Sequence, residues 1–280
     1  MKLPEVLLIG VTAIWIPQRL PAQTPPERSS PANPPADAQP QTTEPPPAAQ
    51  PSALYDRPVS WKLLIPNLLS DQERIWTFPA RLVHGQDLLP ASAIVGTTVA
   101  LWALDPAEAS YFRHTSALNG FNNIFTGNAT AIGTIAAPVV LYATGLARKD
   151  SKMQHTALLA AEAVADAEAV TTVLKDATKR ARPAGIPPSG NYYDSWFDSK
   201  GSFLRGNGSF PSGHTIAAFS VATVVAWRYG SHRRWVPYAA YGMAALIGFS
   251  RLSLSAHFVS DVFVGGALGY SIGRFAVLRQ

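Results

Sequence analysis

The spacing of apolar runs is the feature that most limits what this chain can fold into. From residue 88 onward, stretches of alanine, leucine and other small apolar residues alternate with short polar connections, and no strand-like alternation persists. The pattern predicts an all-α fold, a bundle of about six core helices. The predicted core helices cover residues 88–104, 129–147, 154–177, 214–229, 235–250 and 257–275, and residues 60–87 add one or two short helices.

The N-terminal fifth of the chain has a different composition. Lys2 precedes an apolar run over residues 6–16, which has the length of a signal-peptide core and is short for a membrane span. We interpret residues 1–22 as a signal peptide, with an uncleaved N-terminal anchor as the alternative. Residues 23–56 are rich in Pro, Ala, Gln and Thr and predict a disordered Pro-rich linker, because they carry too few apolar residues to form a core. Residues 57–280 are then the folded domain.

Charge and cysteine usage exclude several classes of protein. The 280 residues carry a net charge of +5, which suits an anionic substrate or a membrane surface. The basic residues are scattered and no nucleic-acid-binding motif is present, so we expect no nucleic-acid partner. The chain has no cysteine, which excludes disulfides and thiolate metal sites.

Three short motifs bring ionisable residues to the ends of predicted helices. They read K-D-A-T-K-R-A-R-P at 175–183, P-S-G-H at 211–214 and S-R-L-S-L-S-A-H-F-V-S-D at 250–261. Lys175 ends the third predicted helix, His214 opens the fourth, Arg251 closes the fifth and His257 begins the sixth. In an up-down bundle with short connections these four ends lie together.

The residue types in these motifs suit phosphate chemistry. His257 and Asp261 are four residues apart, so on a helix they share a face, and the carboxylate can fix the tautomer of the imidazole. Gly213 allows close approach of the backbone to a ligand at a helix N-terminus, where free amides attract anions. Arginine guanidinium groups match the geometry of phosphate oxygens.

The order and spacing of the three motifs resemble the type 2 phosphatidic acid phosphatase (PAP2) family, which shares its fold and site with vanadium haloperoxidases. The resemblance implies that His257 is a nucleophile that forms a phosphohistidine, that Asp261 orients it, and that His214 is the general acid. It also implies a set of phosphate-binding residues, namely Lys175, Arg182, Ser212, Gly213 and Arg251.

The implied activity is that of a metal-independent phosphatase acting on a phosphomonoester or a lipid (pyro)phosphate. No cofactor is expected, and vanadate would act as a phosphate mimic. Two alternatives remain open on the same fold: a vanadate-dependent haloperoxidase, in which His257 would ligate vanadium, and an inactive binding protein of the cell envelope.

Other polar and aromatic residues receive structural interpretations. We assign Lys179 and Arg180 to a solvated basic face, and Glu162, Asp166 and Glu168 to a polar helix face rather than a metal site. The aromatic residues of the 184–210 loop either cover the site or contact an apolar tail, or else they pin the loop by packing; these are Tyr192, Tyr193, Trp196, Phe197 and Phe203.

Two sequence features bear on location. The apolar runs of about 15 to 19 residues are at or below the length that spans a bilayer, which favours a soluble or peripheral bundle. Basic residues at the end opposite the site resemble a positive-inside bias; they are Arg148, Lys149, Lys152, Arg228, Arg233, Arg234 and Arg274. We expect an exported protein of the cell envelope whose site faces the periplasm or exterior, and leave its membrane association open.

Overall fold

The computed structural model describes residues 57–187, 189–198 and 206–278. These residues form helices and connecting loops, without a strand among them, which confirms the predicted all-α class. The predicted signal segment 1–22 and linker 23–56 lie outside the described residues, as does Phe203.

Nine α-helices make up the described α-structure. Six of them agree in number and order with the predicted core helices, and two of the other three fall in the 60–87 region, as expected. The elements are α1 (Leu64–Trp76), α2 (Phe78–Val83), α3 (Leu88–His114), α4 (Asn119–Ile124), α5 (Gly127–Ala147), α6 (Ser151–Thr178), α7 (Gly213–Gly230), α8 (Trp235–Ser253) and α9 (Val259–Ser271).

Helix α3 is ten residues longer than predicted. The Asp105-Pro106 pair indicated a helix end near residue 104, because proline removes a backbone donor and disfavours helical geometry in the residue before it. The helix instead continues through Pro106 to His114. Asp105 is buried and paired with an arginine of a distant segment, so a tertiary contact overrides the local signal.

Two helices are also longer and more exposed than the apolar runs indicated. Helix α3 has 27 residues and α5 has 21, and both are apolar and long enough to cross a bilayer. Only 6% and 22% of their most apolar windows are buried within the protein. The expectation that the apolar runs fall at or below spanning length is therefore wrong for these two helices, and their exposed apolar faces fit membrane association.

Helix α7 lies at the centre of the bundle and packs against α5, α6, α8 and α9. Its buried residues Ile216 and Val224 join the largest core cluster, together with Leu159 and Val170 of α6. The core is built mostly from small side chains, so the helices approach one another closely.

The closest approach is between α7 and α9. A Cβ atom on Gly265 would lie 2.9 Å from the carbonyl oxygen of Ser212, and one on Gly269 would overlap the carbonyl of Ile216. Only glycine allows the two backbones to pack at this distance. The contact holds the start of α9 against the start of α7, where two of the three motifs lie.

Candidate active site

The three motifs meet at one end of the bundle. Lys175 is in the last turn of α6 and Arg251 is in the last turn of α8. His214 is in the first turn of α7, and His257 lies two residues before α9 begins. Asp261 is in the first turn of α9, and its carbonyl oxygen accepts a hydrogen bond from the Ser212 amide at 3.1 Å.

His257 is buried, and its tautomer is set by a backbone carbonyl. Only 1% of the residue is exposed, and Nδ1 lies 2.6 Å from the carbonyl oxygen of Ser209. Because a carbonyl only accepts, Nδ1 carries the hydrogen and donates it. The other nitrogen, Nε2, has no hydrogen-bond partner in the described part of the chain and is unprotonated when the ring is neutral.

The contact between Asp261 and His257 is less direct than the spacing predicts. The nearest carboxylate oxygen, Oδ2, lies 3.7 Å from His257 Nδ1, beyond hydrogen-bond range. Oδ2 instead accepts from the Ser209 hydroxyl at 2.5 Å and from the Phe258 amide at 3.0 Å. Asp261 therefore fixes the Ser209 segment and the first turn of α9, and acts on the imidazole through its charge.

The interpretation that Arg180 lies on a solvated basic face is wrong. The residue is fully buried, and its guanidinium donates to Asp261 at 2.5 Å and to Asp105 at 2.6 Å. It also donates to the hydroxyl of Ser260 at 2.9 Å. We call Arg180, Asp105, Ser260 and Asp261 the Arg180 cluster. Its neighbour Lys179 is exposed, as predicted.

The signal for the Arg180 cluster is absent from local sequence. Lys179 and Arg180 are adjacent basic residues after a helix, and nothing in their spacing separates a buried residue from an exposed one. Lys179 ends the helix in a left-handed conformation, with φ of 43°, and this turn directs the chain inward at the next residue. Asp105 was missed for a second reason, because it belongs to the unpredicted part of α3.

His214 faces the cleft from the first turn of α7. Its Nε2 lies 3.1 Å from the carbonyl oxygen of Gly127, so Nε2 carries the hydrogen in the neutral ring. This leaves Nδ1 as the nitrogen that can exchange a proton with a ligand. Gly127 is placed by the Thr126 side chain, which accepts from the Ala129 amide and caps α5.

Three cations of the motifs have side-chain donors that lack a partner among the described residues. Lys175 is buried, yet its ammonium has no hydrogen-bond or ion-pair partner among the described residues, and the same holds for the guanidinium of the exposed Arg182. Arg251 donates from Nη2 to the Phe125 carbonyl at 2.7 Å and from Nε to Ser250 at 3.1 Å. Its Nη1 has no partner in the described ranges. Such cations leave room for an anion between them.

The N-terminus of α7 adds backbone donors. Ser212 precedes the helix, but its hydroxyl bonds the hydroxyl of Thr215 at 2.8 Å and does not cap the helix. The first-turn amides of Gly213, His214 and Thr215 therefore have no acceptor within the described segments. The Ser212 amide is not available, because it donates to Asp261. Free amides at a helix N-terminus favour an anion.

Burial and nearby cations favour the neutral form of both histidines. Burial lowers the pKa of His257 to about 4, with a further decrease from Lys175 and Arg182, while the Asp261 carboxylate acts in the opposite direction. Burial and the nearby Arg251 lower the pKa of His214 to about 4 as well. Burial and the charge of Arg182 lower the pKa of Lys175 to about 8. These mutual repulsions show that the cations are close together, and a bound anion would relieve them.

The aromatic residues after Arg182 mostly pack against the protein. Tyr192 packs on Phe258 and Trp196 covers the Arg180 guanidinium at 4.5 Å. The Tyr193 hydroxyl donates to the carbonyl oxygen of Ala103 at 3.2 Å. These three pin the loop by their side chains, whereas the Phe197 side chain is 75% exposed and only its amide, which donates to the Thr178 carbonyl at 3.0 Å, holds the loop.

Of the three acidic residues assigned to a polar face of α6, two lie in a buried network and one is exposed. Glu162 and Asp166 are 2% and 0% exposed, and Glu168 is exposed. Arg57 bridges Asp71 of α1 and Glu162. We call Arg57, Asn67, Asp71, Gln72, Glu162 and Asp166 the α1–α6 cluster.

A family model for the PAP2 superfamily matches residues 154–280, the part of the chain that holds all three motifs. Residues 154–280 belong to the PAP2 superfamily. Asp105 lies outside the matched residues, so the PAP2 motifs are completed here by a side chain from the preceding part of the chain.

Two named relatives and one solved structure are similar to this chain. A lipid A 1-phosphatase of Porphyromonas gingivalis is 35% identical over 102 residues, which are 36% of this chain and 22% of the relative. Phosphatidylglycerophosphatase B of Bacillus subtilis is 40% identical over 68 residues, or 22% of this chain and 34% of the relative. The chain thus spans a fifth to a third of these relatives. The transmembrane PAP2 type phosphatidylglycerolphosphate phosphatase structure from Bacillus subtilis is 25% identical, with a TM-score of 0.41, over 64% of this chain and 93% of that one.

Proposed function

We propose that this protein is a metal-independent lipid phosphate phosphatase that works through a phosphohistidine on His257. The observation that carries the proposal is the anion site itself. Lys175, Arg182 and Arg251 have no carboxylate partner among the described residues, and three first-turn amides of α7 have no acceptor there. The buried His257 imidazole lies near these cations and has an Nε2 without a partner in the same residues. An anion site of this charge suits a transferred phosphoryl group.

In the first step, Nε2 of His257 attacks phosphorus and the bond from phosphorus to the leaving oxygen breaks. The leaving oxygen takes a proton from Nδ1 of His214. The phosphorylated imidazole keeps the hydrogen on Nδ1, so the ring becomes cationic, and the Ser209 carbonyl and the Asp261 charge stabilise it. Lys175, Arg182 and Arg251 offset the charge that spreads over the phosphoryl oxygens.

In the second step, water attacks phosphorus while His214 accepts a proton from it. The bond between nitrogen and phosphorus breaks, which releases inorganic phosphate and restores neutral His257. His214 must hold a proton before the first step, although burial and nearby cations lower its pKa to about 4. Bound phosphate would raise this pKa, because its negative charge offsets the charge of those cations.

The substrate class follows from the relatives and from the helices next to the site. Both named relatives act on phosphorylated lipids by their names. Helices α3 and α5 expose apolar faces that fit a bilayer. We therefore propose a membrane-associated protein that removes phosphate from a lipid.

The charge distribution supports a location for the site. Basic residues of the α5–α6 and α7–α8 connections lie at the end of the bundle opposite the motifs; they include Arg148, Lys149, Arg233 and Arg234. Basic connections favour the cytoplasmic side of a membrane. The site would then face the periplasm or exterior.

The test is to trap the intermediate on purified protein. Brief incubation with a labelled lipid phosphate should give acid-labile, base-stable label on the wild type and on His155→Ala, an exposed histidine of α6 far from the motifs. His257→Ala should carry no label and lose turnover by at least a thousandfold. Label on the His257→Ala protein, or turnover within tenfold of the wild type, would show that another group attacks phosphorus.

A further inference from the structure

An apolar groove runs between α5, α7 and α8, with a volume of about 430 Å³. This volume is in the range of pockets that hold small molecules. The residues that line it are small or apolar and come from all three helices; they include Gly133, Ala137, Ala222, Met243 and Ile247.

The groove offers no free polar group to an occupant. No charged side chain lines it. Its two hydroxyls bond to carbonyls of their own helix, Thr130 to Thr126 at 2.8 Å and Thr134 to Thr130 at 2.8 Å. A sugar or a peptide backbone would lose its hydrogen bonds with water here without replacement, so the lining selects hydrocarbon.

The groove is continuous with the wall of the phosphate site. Phe125 lines the groove, and its carbonyl oxygen accepts a hydrogen bond from Arg251 at 2.7 Å. Two residues along the chain, the carbonyl of Gly127 accepts from His214. The segment that closes one end of the groove therefore holds two of the site's ionisable residues.

We propose that this groove binds a hydrocarbon chain of the substrate while the phosphate lies between Lys175, Arg182 and Arg251. The inference rests on the proposed phosphatase function and makes it more specific. A substrate with a long chain gains affinity from each methylene that leaves water, whereas a soluble phosphate ester gains nothing from the groove.

Gly133 provides a way to fill the groove without disturbing the fold. A Cβ atom at this position would meet no atom within 4 Å, so a larger side chain can extend into the space. Gly96 of α3 has the same open surroundings and does not line the groove. Both glycines are exposed and lie within helices, so Gly96→Leu is a matched control.

The experiment compares three substrates on purified protein in detergent: dioleoyl phosphatidic acid, dihexanoyl phosphatidic acid and p-nitrophenyl phosphate. Gly133→Leu should lower kcat/KM for the dioleoyl substrate at least tenfold, lower it less for the dihexanoyl one, and leave p-nitrophenyl phosphate unchanged. Gly96→Leu should leave all three unchanged. Gly133→Ala, which adds one methyl group, should give a smaller loss in the same order and serves if the leucine variant fails to fold.

The outcomes separate the groove from the proposed function. If the wild type hydrolyses none of the three substrates, the phosphatase function fails. If the wild type is active but Gly133→Leu leaves the chain-length preference unchanged, or lowers all three activities equally, the groove does not hold the substrate chain. A change in oligomeric state without a change in chain-length preference would assign the groove to contact between copies and overturn the proposal.

Discussion

The Arg180 cluster and the α1–α6 cluster have similar composition and different surroundings. In each, a buried arginine bridges two carboxylates: Arg180 joins Asp105 and Asp261, and Arg57 joins Asp71 and Glu162. The α1–α6 cluster is completed by amide side chains, with Gln72 donating to Asp166 at 2.8 Å. The Arg180 cluster instead lies next to His257. Nearby are three cations and the first-turn amides of α7, all with donors that lack a partner among the described residues.

The difference teaches how to recognise a site among buried charges. Paired charges alone indicate structure, because the partners satisfy one another. Perturbed ionisation is no better guide, since burial also raises the pKa of Asp166 to about 8 in the α1–α6 cluster. What distinguishes the motif end of the bundle is the excess positive charge of Lys175, Arg182 and Arg251, which can bind an anion.

The strongest way to break this comparison is a matched pair of substitutions, Arg180→Gln and Arg57→Gln. We expect Arg180→Gln to lower kcat about a thousandfold, because Asp261 loses the partner that holds it beside His257 and a catalytic imidazole depends on its carboxylate. Arg57→Gln should leave kcat and KM within about twofold. Steady-state kinetics on folded protein measure both.

Arg180→Lys separates positioning from simple loss of charge. Lysine keeps the charge but lacks the planar fork that reaches both carboxylates, so turnover should stay well below wild type while KM changes little. Full activity in Arg180→Lys, or equal losses in Arg57→Gln and Arg180→Gln, would contradict the division between the two clusters.

The second prediction concerns the free energy of unfolding, which should fall when the buried arginine of either cluster is replaced. Removing one partner of a buried ion pair costs about 3–5 kcal/mol, because the remaining charge is left in a poor solvent. Arg57→Gln should therefore lower the free energy of unfolding by about 3 kcal/mol, although turnover survives. Denaturant titration of the detergent-solubilised protein measures it, with the exposed Lys179→Gln as a control that should change little. A loss under about 1 kcal/mol would show that the α1–α6 cluster is not structural.

The third prediction uses the low pKa of Lys175. Its ammonium is protonated below about pH 8 and loses its charge above it. Since the charged form binds an anion, affinity for inorganic phosphate should be high below pH 8 and fall up to about tenfold per pH unit above it. Competitive inhibition measured from pH 6 to 10 gives the profile.

Lys175→Arg keeps its charge throughout that range, so its phosphate affinity should stay level above pH 8. Both proteins meet the same ligand, so ionisation of phosphate cancels in the comparison. Identical profiles for the two proteins would remove Lys175 from the anion site.

The smallest effect concerns the backbone contact that brings the motifs together. Gly265→Ala places a methyl group 2.9 Å from the Ser212 carbonyl, which should cost about 1–3 kcal/mol of stability and displace the start of α9. Gly266→Ala makes only ordinary contact, 3.7 Å from Phe219, and should be neutral or slightly stabilising. Thermal unfolding distinguishes them, and an equal response of the two variants would mean that α9 can shift without cost.

The core helices could be predicted because helix periodicity is a local pattern, and the meeting of the three motifs followed from placing the helix ends in an up-down bundle. Helix periodicity extends over 15 residues or more, so it survives errors at the ends. The end of α3 could not be predicted, because proline disfavours a continuing helix and the contacts that offset this cost are tertiary, such as those of Asp105 with Arg180 and Ser260.

The sequence by itself determined the helical class, the ionisable residues of the three motifs and the ends of the helices on which they lie. Tertiary structure alone decided that Arg180 is buried while Lys179 is exposed, that a Ser209 carbonyl sets the tautomer of His257, and that Asp261 acts on the imidazole through its charge. The reason is physical: periodicity reports which face of a helix is apolar, whereas the partner of a buried charge is chosen by contacts between residues such as Asp105 and Arg180 that lie 75 positions apart in the chain.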